Sequence, residues 1–223
     1  MNDSVLIRFS LVEDGSMSKA VDDDRRLANR QAFLTKDGIT AEQTVLVHLK
    51  YEGEDYHRYR TITSVDGGEG IIRASGSVSD ALFTNDPGVA LLLPVADCIG
   101  AVLFDPVNNV LGLAHFGRHN LIDEGGIKAI DYMRRQFGTQ PSSVQAWLSP
   151  AAGRVHYPLF DFDGRSLHEV CMMQLLRAGV HRANLYIDER DTTTDLSLFS
   201  HSEFLKGNRD SDGRQAVVAM MRP

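Results

Sequence analysis

The sequence predicts an α+β fold in which layered mixed β-sheets are flanked by helices. Three observations carry that expectation. Residues 89–95, 99–104 and 110–115 are short and almost wholly apolar, the pattern of strands covered on both faces. Residues 123–137 and 166–178 instead carry apolar side chains at helical spacing. The two patterns are mixed without strict alternation, which argues against a regular doubly wound sheet and for separate layers. With 223 residues, 43% hydrophobic and 24% charged, the chain is expected to form one globular domain spanning 1–223.

The elements follow in order. Residues 5–10 predict a first strand. Residues 22–35 predict a helix, with Asp22, Asp23 and Asp24 at its start, where negative charge suits the helix dipole. Leu27, Phe33 and Leu34 mark its apolar side and Gly38 lies just past its end. Residues 44–51 alternate as a strand does, and residues 56–64 are expected to pair with them across a turn at 53–55. Residues 66–70 form a glycine-rich loop. DPVNN, Asp105 to Asn109, is the turn joining the second and third apolar runs. In the 123–137 helix Ile127, Ile130 and Met133 point inward and Gly138 is the stop. Residues 144–148 predict a strand. The 166–178 helix buries Leu167, Val170, Cys171 and Leu175 and ends at Gly179. Residues 184–187 and 215–221 are closing strands, and 206–214 reads as a surface loop.

A formal charge of -7 disfavours nucleic-acid binding, and the basic stretch from Arg58 to Arg60 is too short to offset it. No apolar run is long enough to span a bilayer, and no secretory signal is evident, so a cytoplasmic location is expected. Cys98 and Cys171 are then expected as free thiols, with Cys171 in the core.

The sharpest local feature is ADC, Ala96 to Cys98, followed seventeen residues later by HFGRH, His115 to His119. A hairpin return would bring the start of one strand and the end of the next to one sheet edge, with Cys98 beside His115 and Asp97 nearby. A thiol beside an imidazole is either a metal-ligand pair or a nucleophile–base pair. The plainer alternative is a small buried hydrophobe. His156, His168, His181 and His201 read as surface or loop histidines, with His168 facing solvent. The GGEG run at Gly67 to Gly70 lacks nucleotide-loop spacing.

LPVADCIGAVLFDPVNNVLGLAHFGRHN resembles the laccase-domain family signature, in which an ADC strand is followed by one ending in HAGWRG. SDALFTNDPGVAL, WLSPAAGRVHYPL, FSH at Phe199 to His201 and GR at Gly213 and Arg214 are similar to further family segments, in order along nearly the whole chain. The resemblance implies the laccase-domain fold and one zinc ion held by a Cys and two His. It also implies purine nucleoside phosphorylase activity, accompanied by adenosine deamination and methylthioadenosine phosphorolysis, with purine nucleoside and phosphate as partners.

Carried over, Cys98 and His115 are two metal ligands and His48 the third. Tyr51 is an alternative occupant of that third position, and His57 and His119 are further candidates. Cys98, His115, Arg118 and His119 are the catalytic candidates. Asp97, Ser200, His201 and Arg214 are the substrate-binding ones. The chain departs from the pattern at HFGRHN, where Arg118 and His119 replace Trp and Arg. It departs again at Asp191, in place of a Cys, and at Ser202 and Glu203, in place of two Arg. Fewer cations weaken a phosphate site. Two alternatives therefore stand beside the zinc phosphorylase: a metal-free Cys98–His115 hydrolase, and a catalytically inactive relative that binds a nucleoside or a partner. A true multicopper oxidase is excluded, since eight histidines include no HxH pair.

Overall fold

The computed structural model describes residues 4–18, 24–51, 53, 55–75 and 77–222. Two mixed sheets stack face to face. The first has the order β1 (Val5–Phe9), β10 (Gln215–Met221), β5 (Ala90–Val95), β2 (Thr44–Leu46). The second runs β3 (Tyr59–Thr61), β4 (Ala81–Thr84), β7 (Val110–Phe116), β6 (Ile99–Asp105), β8 (Gln145–Leu148), β9 (Leu185–Ile187). The helix α1 (Asp24–Thr35) covers the outer face of the first sheet, and α3 (Gly125–Phe137) and α4 (Leu167–Arg177) cover that of the second.

This layering explains the continuous apolar runs. Alternate residues of a strand point to opposite faces, and here both faces are dry. In β5, Leu91, Leu93 and Val95 enter the core between the sheets, while Ala90 and Leu92 face α1. In β6, Val102 and Phe104 face the first sheet, whereas Ile99, Ala101 and Leu103 face α3 and α4. Ile130, Met133, Leu167, Val170, Cys171 and Leu175 fill that outer core as expected, but Ile127 is only half-buried. Ser166 caps α4, accepting from the Glu169 amide at 3.1 Å. Gly138 ends α3 at φ 70°, a left-handed conformation that glycine takes at little cost.

The expected hairpin between residues 44–51 and 56–64 is not formed. β2 stops at Leu46 and pairs with β5 in the first sheet, while β3 pairs in parallel with β4 in the second. The intervening chain crosses between sheets. The Val47 amide still donates to Leu92 O at 2.8 Å, but His48 O already accepts from Ser79 N at 2.9 Å. Tyr59 is held in the second sheet by edge-on contacts with Phe83 and Tyr132. Part of the expected 53–55 turn, and the helix start at Asp22 and Asp23, lie outside the described residues. His168 is also corrected: it is half-buried, with Nε2 2.8 Å from Ser149 O.

The topology gathers strand ends. β2 and β5 are parallel, so both finish at one end of the sandwich, where the antiparallel β10 begins. In the second sheet β7 finishes, and β3, β4 and β6 begin, at a common end. Ala96 to Cys98 cross from β5 to β6 and so join the two. Among the described residues no helix is long and apolar enough to cross a membrane.

Candidate active site

These strand ends and the segments leaving them enclose a pocket of about 360 Å³. The β6–β7 register sets Gly100 opposite His115, which brings Cys98 to the end of β7 as its spacing predicts. Gly117 shows how close the two groups are. A Cβ there would lie 2.9 Å from Cys98 Sγ, 3.0 Å from His115 Cε1 and 3.4 Å from His115 Nε2. Sulfur and imidazole therefore flank one point. His115 is 5% exposed, its amide donates to Asp80 O at 2.9 Å, and its buried Nε2 has no hydrogen-bond partner.

Electrostatics keep this pair neutral. Burial, reinforced by the Asp97 carboxylate, pushes the Cys98 thiol up to about 12. Burial brings the His115 imidazole down to about 4, against the opposing influence of Asp80 and Asn120. Near pH 7 there is neither thiolate nor imidazolium, so the arrangement expected of a metal-free cysteine nucleophile is not prepared.

Two of the three implied zinc donors are thus present: a thiol and an orphaned imidazole nitrogen directed to one place. The rest is not. His48 lines the neighbouring cavity with Arg26 and Asp212 rather than this pocket. His57 bonds Asp123 at 2.8 Å and lies outside the pocket lining. His119 is exposed and stacks on Tyr56 with centroids 5.0 Å apart. Among the described residues no group of three His, Cys, Asp or Glu is placed to hold a metal, so the donors do not fit a Cys-His-His zinc site. Tyr51, 63% exposed at the pocket edge, is the segment's residue that meets His115, edge-on at 6.0 Å.

The other candidates divide. Asp97 borders the pocket, but its carboxylate is engaged within the protein. Oδ1 accepts from Thr192 Oγ1 and Oδ2 from Ser202 N, both at 2.7 Å. Its left-handed φ of 70° turns the chain between the two sheets. Ser200 is a buried N-cap of α5 (His201–Leu205), accepting from Glu203 N, and does not line the pocket. His201, Arg214 and Arg118 do line it. Arg214 bonds Asp212 Oδ1 at 2.6 Å, whereas Arg118, the first residue of α2 (Arg118–Ile122), is exposed and bonds to no described side chain. Ser202 and Glu203, where the family pattern has cations, are respectively an amide donor to Asp97 and a buried partner of Lys206 and Asn208.

Sequence reasoning missed Asp80 and the tyrosines Tyr56 and Tyr157. Asp80 is 3% exposed and clasped by Arg58 through Nε at 2.7 Å and Nη2 at 2.9 Å. The available signal was an acid placed directly before the apolar ALF of SDALFT. Arg58 and Arg60, the only basic stretch considered for nucleic acid, are spent on Asp80 and on Glu69 and Asp66.

A model of the multi-copper polyphenol oxidoreductase laccase family matches residues 12–162. The chain belongs to this family. Among curated relatives of this laccase-family chain, the purine nucleoside phosphorylase YlmD of Geobacillus stearothermophilus is 29% identical over 223 residues, covering 87% of this chain and 76% of the relative. A purine nucleoside phosphorylase of Corynebacterium glutamicum is 26% identical over 219 residues, covering 90% and 83%. The crystal structure of YlmD from G. stearothermophilus superposes with a TM-score of 0.86 at 23% identity, over 99% and 93% of the two chains. YfiH of Bacillus licheniformis gives 0.85 at 20%, over 98% and 93%. The laccase-domain fold implied by the motifs is the fold observed.

Proposed function

We propose that this chain cleaves the N-glycosidic bond of purine nucleosides by transfer to inorganic phosphate, in the Cys98–His115 pocket. One observation carries the reading. A pocket of nucleoside size, lined by Tyr51, Tyr56 and Tyr157, opens beside Arg118, a cation with no side-chain partner among the described residues. Tyrosine faces suit a purine, and an unspent guanidinium suits phosphate. The phosphorylase names of relatives 24–29% identical over most of the chain support the same assignment.

Arg118 would anchor phosphate and the tyrosines would hold the base. Asp97 would shape the wall without touching substrate. Methylthioadenosine needs the same two subsites and falls within the proposal. Adenosine deamination needs an activated water, and among the described residues no three-donor metal group is placed to activate one, so the proposal does not extend to it. The metal-free hydrolase loses support from the neutral thiol and imidazole.

The test is product analysis with inosine, guanosine, adenosine and methylthioadenosine, with and without phosphate. Phosphate-dependent release of base and a pentose 1-phosphate is expected. Arg118→Ala should raise KM for phosphate at least tenfold while changing KM for nucleoside less than threefold, as loss of one charge-assisted contact of about 1.5–3 kcal/mol requires. Absence of any phosphate-dependent cleavage would refute the assignment.

A further inference from the structure

His201 and Asp212 meet at the rim of the pocket, one from the first turn of α5 and the other from the loop leading into β10. His201 Nδ1 lies 3.0 Å from Asp212 Oδ1. The same oxygen accepts from Arg214 Nη1. His201 is a pocket-lining residue, and with Nδ1 committed to Asp212 the nitrogen left to a ligand is Nε2. An imidazole oriented by a carboxylate on its far nitrogen is the arrangement that proton transfer requires.

The pocket's other imidazoles lack this arrangement. His115 is 5% exposed, and its buried Nε2 has no hydrogen-bond partner. His119 stacks on Tyr56 and has no carboxylate partner among the described residues. Among the described residues, only His201 combines access to the pocket with a carboxylate held against its far nitrogen.

Building on the phosphorolysis reading, we infer that His201 is the proton donor to the departing purine and that Asp212 is its positioning residue. A phosphate oxygen forms a bond to C1′ as the C1′–N9 bond breaks, and the bonding pair passes into the purine ring. The proton on His201 Nε2 moves to purine N7, so the base leaves neutral. The proton that hydrogen phosphate sheds on becoming the ester dianion restores the imidazolium. Phosphate, already a substrate in the proposed reaction, is the only co-reactant needed.

The test compares inosine with 7-methylinosine, whose base is cationic and departs without taking a proton. His201→Gln should lower kcat on inosine about 100-fold, the range of general acid catalysis, and lower it less than about threefold on 7-methylinosine. Asp212→Asn should show the same pattern more weakly, about tenfold on inosine. His201 is 41% exposed, so its replacement leaves the core intact, and unchanged thermal melting checks this. Equal losses on both nucleosides in either variant, or no loss on inosine, overturn the inference while phosphorolysis stands. A parent protein that cleaves neither nucleoside overturns phosphorolysis and this inference together.

Discussion

Gly117→Ala is the most direct probe of the site. Gly117 has φ -94° and ψ -179°, extended backbone that alanine adopts freely, so the added methyl acts only through contact. It would sit 2.9 Å from Cys98 Sγ, closer than real Cβ atoms come, and 3.0 Å from His115 Cε1, tighter than most Cβ contacts. Neither neighbour yields easily. His115 is 5% exposed on a paired strand, and Cys98 follows a residue whose carboxylate is bonded to two separate segments. Overpacking of this kind costs about 1–3 kcal/mol. At about 2–4 °C per kcal/mol for a chain of this size, Tm should fall by roughly 2–12 °C. Displacing the thiol and ring should also lower kcat/KM on inosine at least tenfold. The double variant Cys98→Ala/Gly117→Ala should recover part of the lost stability, because the sulfur's space is vacated, with a coupling of at least about 0.5 kcal/mol. Calorimetry and initial-rate assays on the parent and the three variants measure all of this. A Gly117→Ala protein with parental Tm and kcat/KM would refute the convergence of sulfur and imidazole on one point.

Three further outcomes are expected. His115 is lowered to about 4 from an ordinary 6.5, so its contribution is present above about pH 6.5 and lost as pH falls toward 4. Between pH 7 and 4.5 the parent should lose about 2 kcal/mol more than His115→Gln in urea titrations; parallel profiles would contradict this. Asp97→Ala strands the Thr192 hydroxyl and the Ser202 amide and places alanine at φ 70°, which should cost about 2–4 kcal/mol. Asp97→Asn, which retains an acceptor and tolerates that conformation, should cost less than half as much in the same denaturation experiment. Because among the described residues only a thiol and one imidazole converge, elemental analysis after dialysis should find well under one zinc per chain, and EDTA should leave Tm unchanged. Stoichiometric zinc lost in both Cys98→Ala and His115→Ala would restore a three-donor site, with Tyr51 the first residue to examine as the third donor.

Much of the fold was legible because its signals are local. The apolar runs of β5, β6 and β7 announce strands buried on both faces, and the DPVNN turn sets the β6–β7 register that delivers Cys98 to His115. Helical spacing located α3 and α4, and Gly138 marked the end of α3. The four-residue β4 and the five-residue helices α2 and α5 are too short to develop a periodicity, and all three escaped the sequence reading.

What the sequence determined by itself is the pairing of one thiol with one imidazole, since neighbouring strands joined by a tight turn leave little freedom in register. Only the tertiary structure decided which sheet each strand joins. That choice sent the chain after Val47 from one sheet to the other, leaving His48 beside a neighbouring cavity and Tyr51 beside His115. It also spent Arg58 on Asp80, left Arg118 without a side-chain partner among the described residues, and set Asp212 against His201 from eleven residues away. These outcomes depend on how separate layers stack and on which charges are buried together, and neither quantity is written into any short stretch of chain.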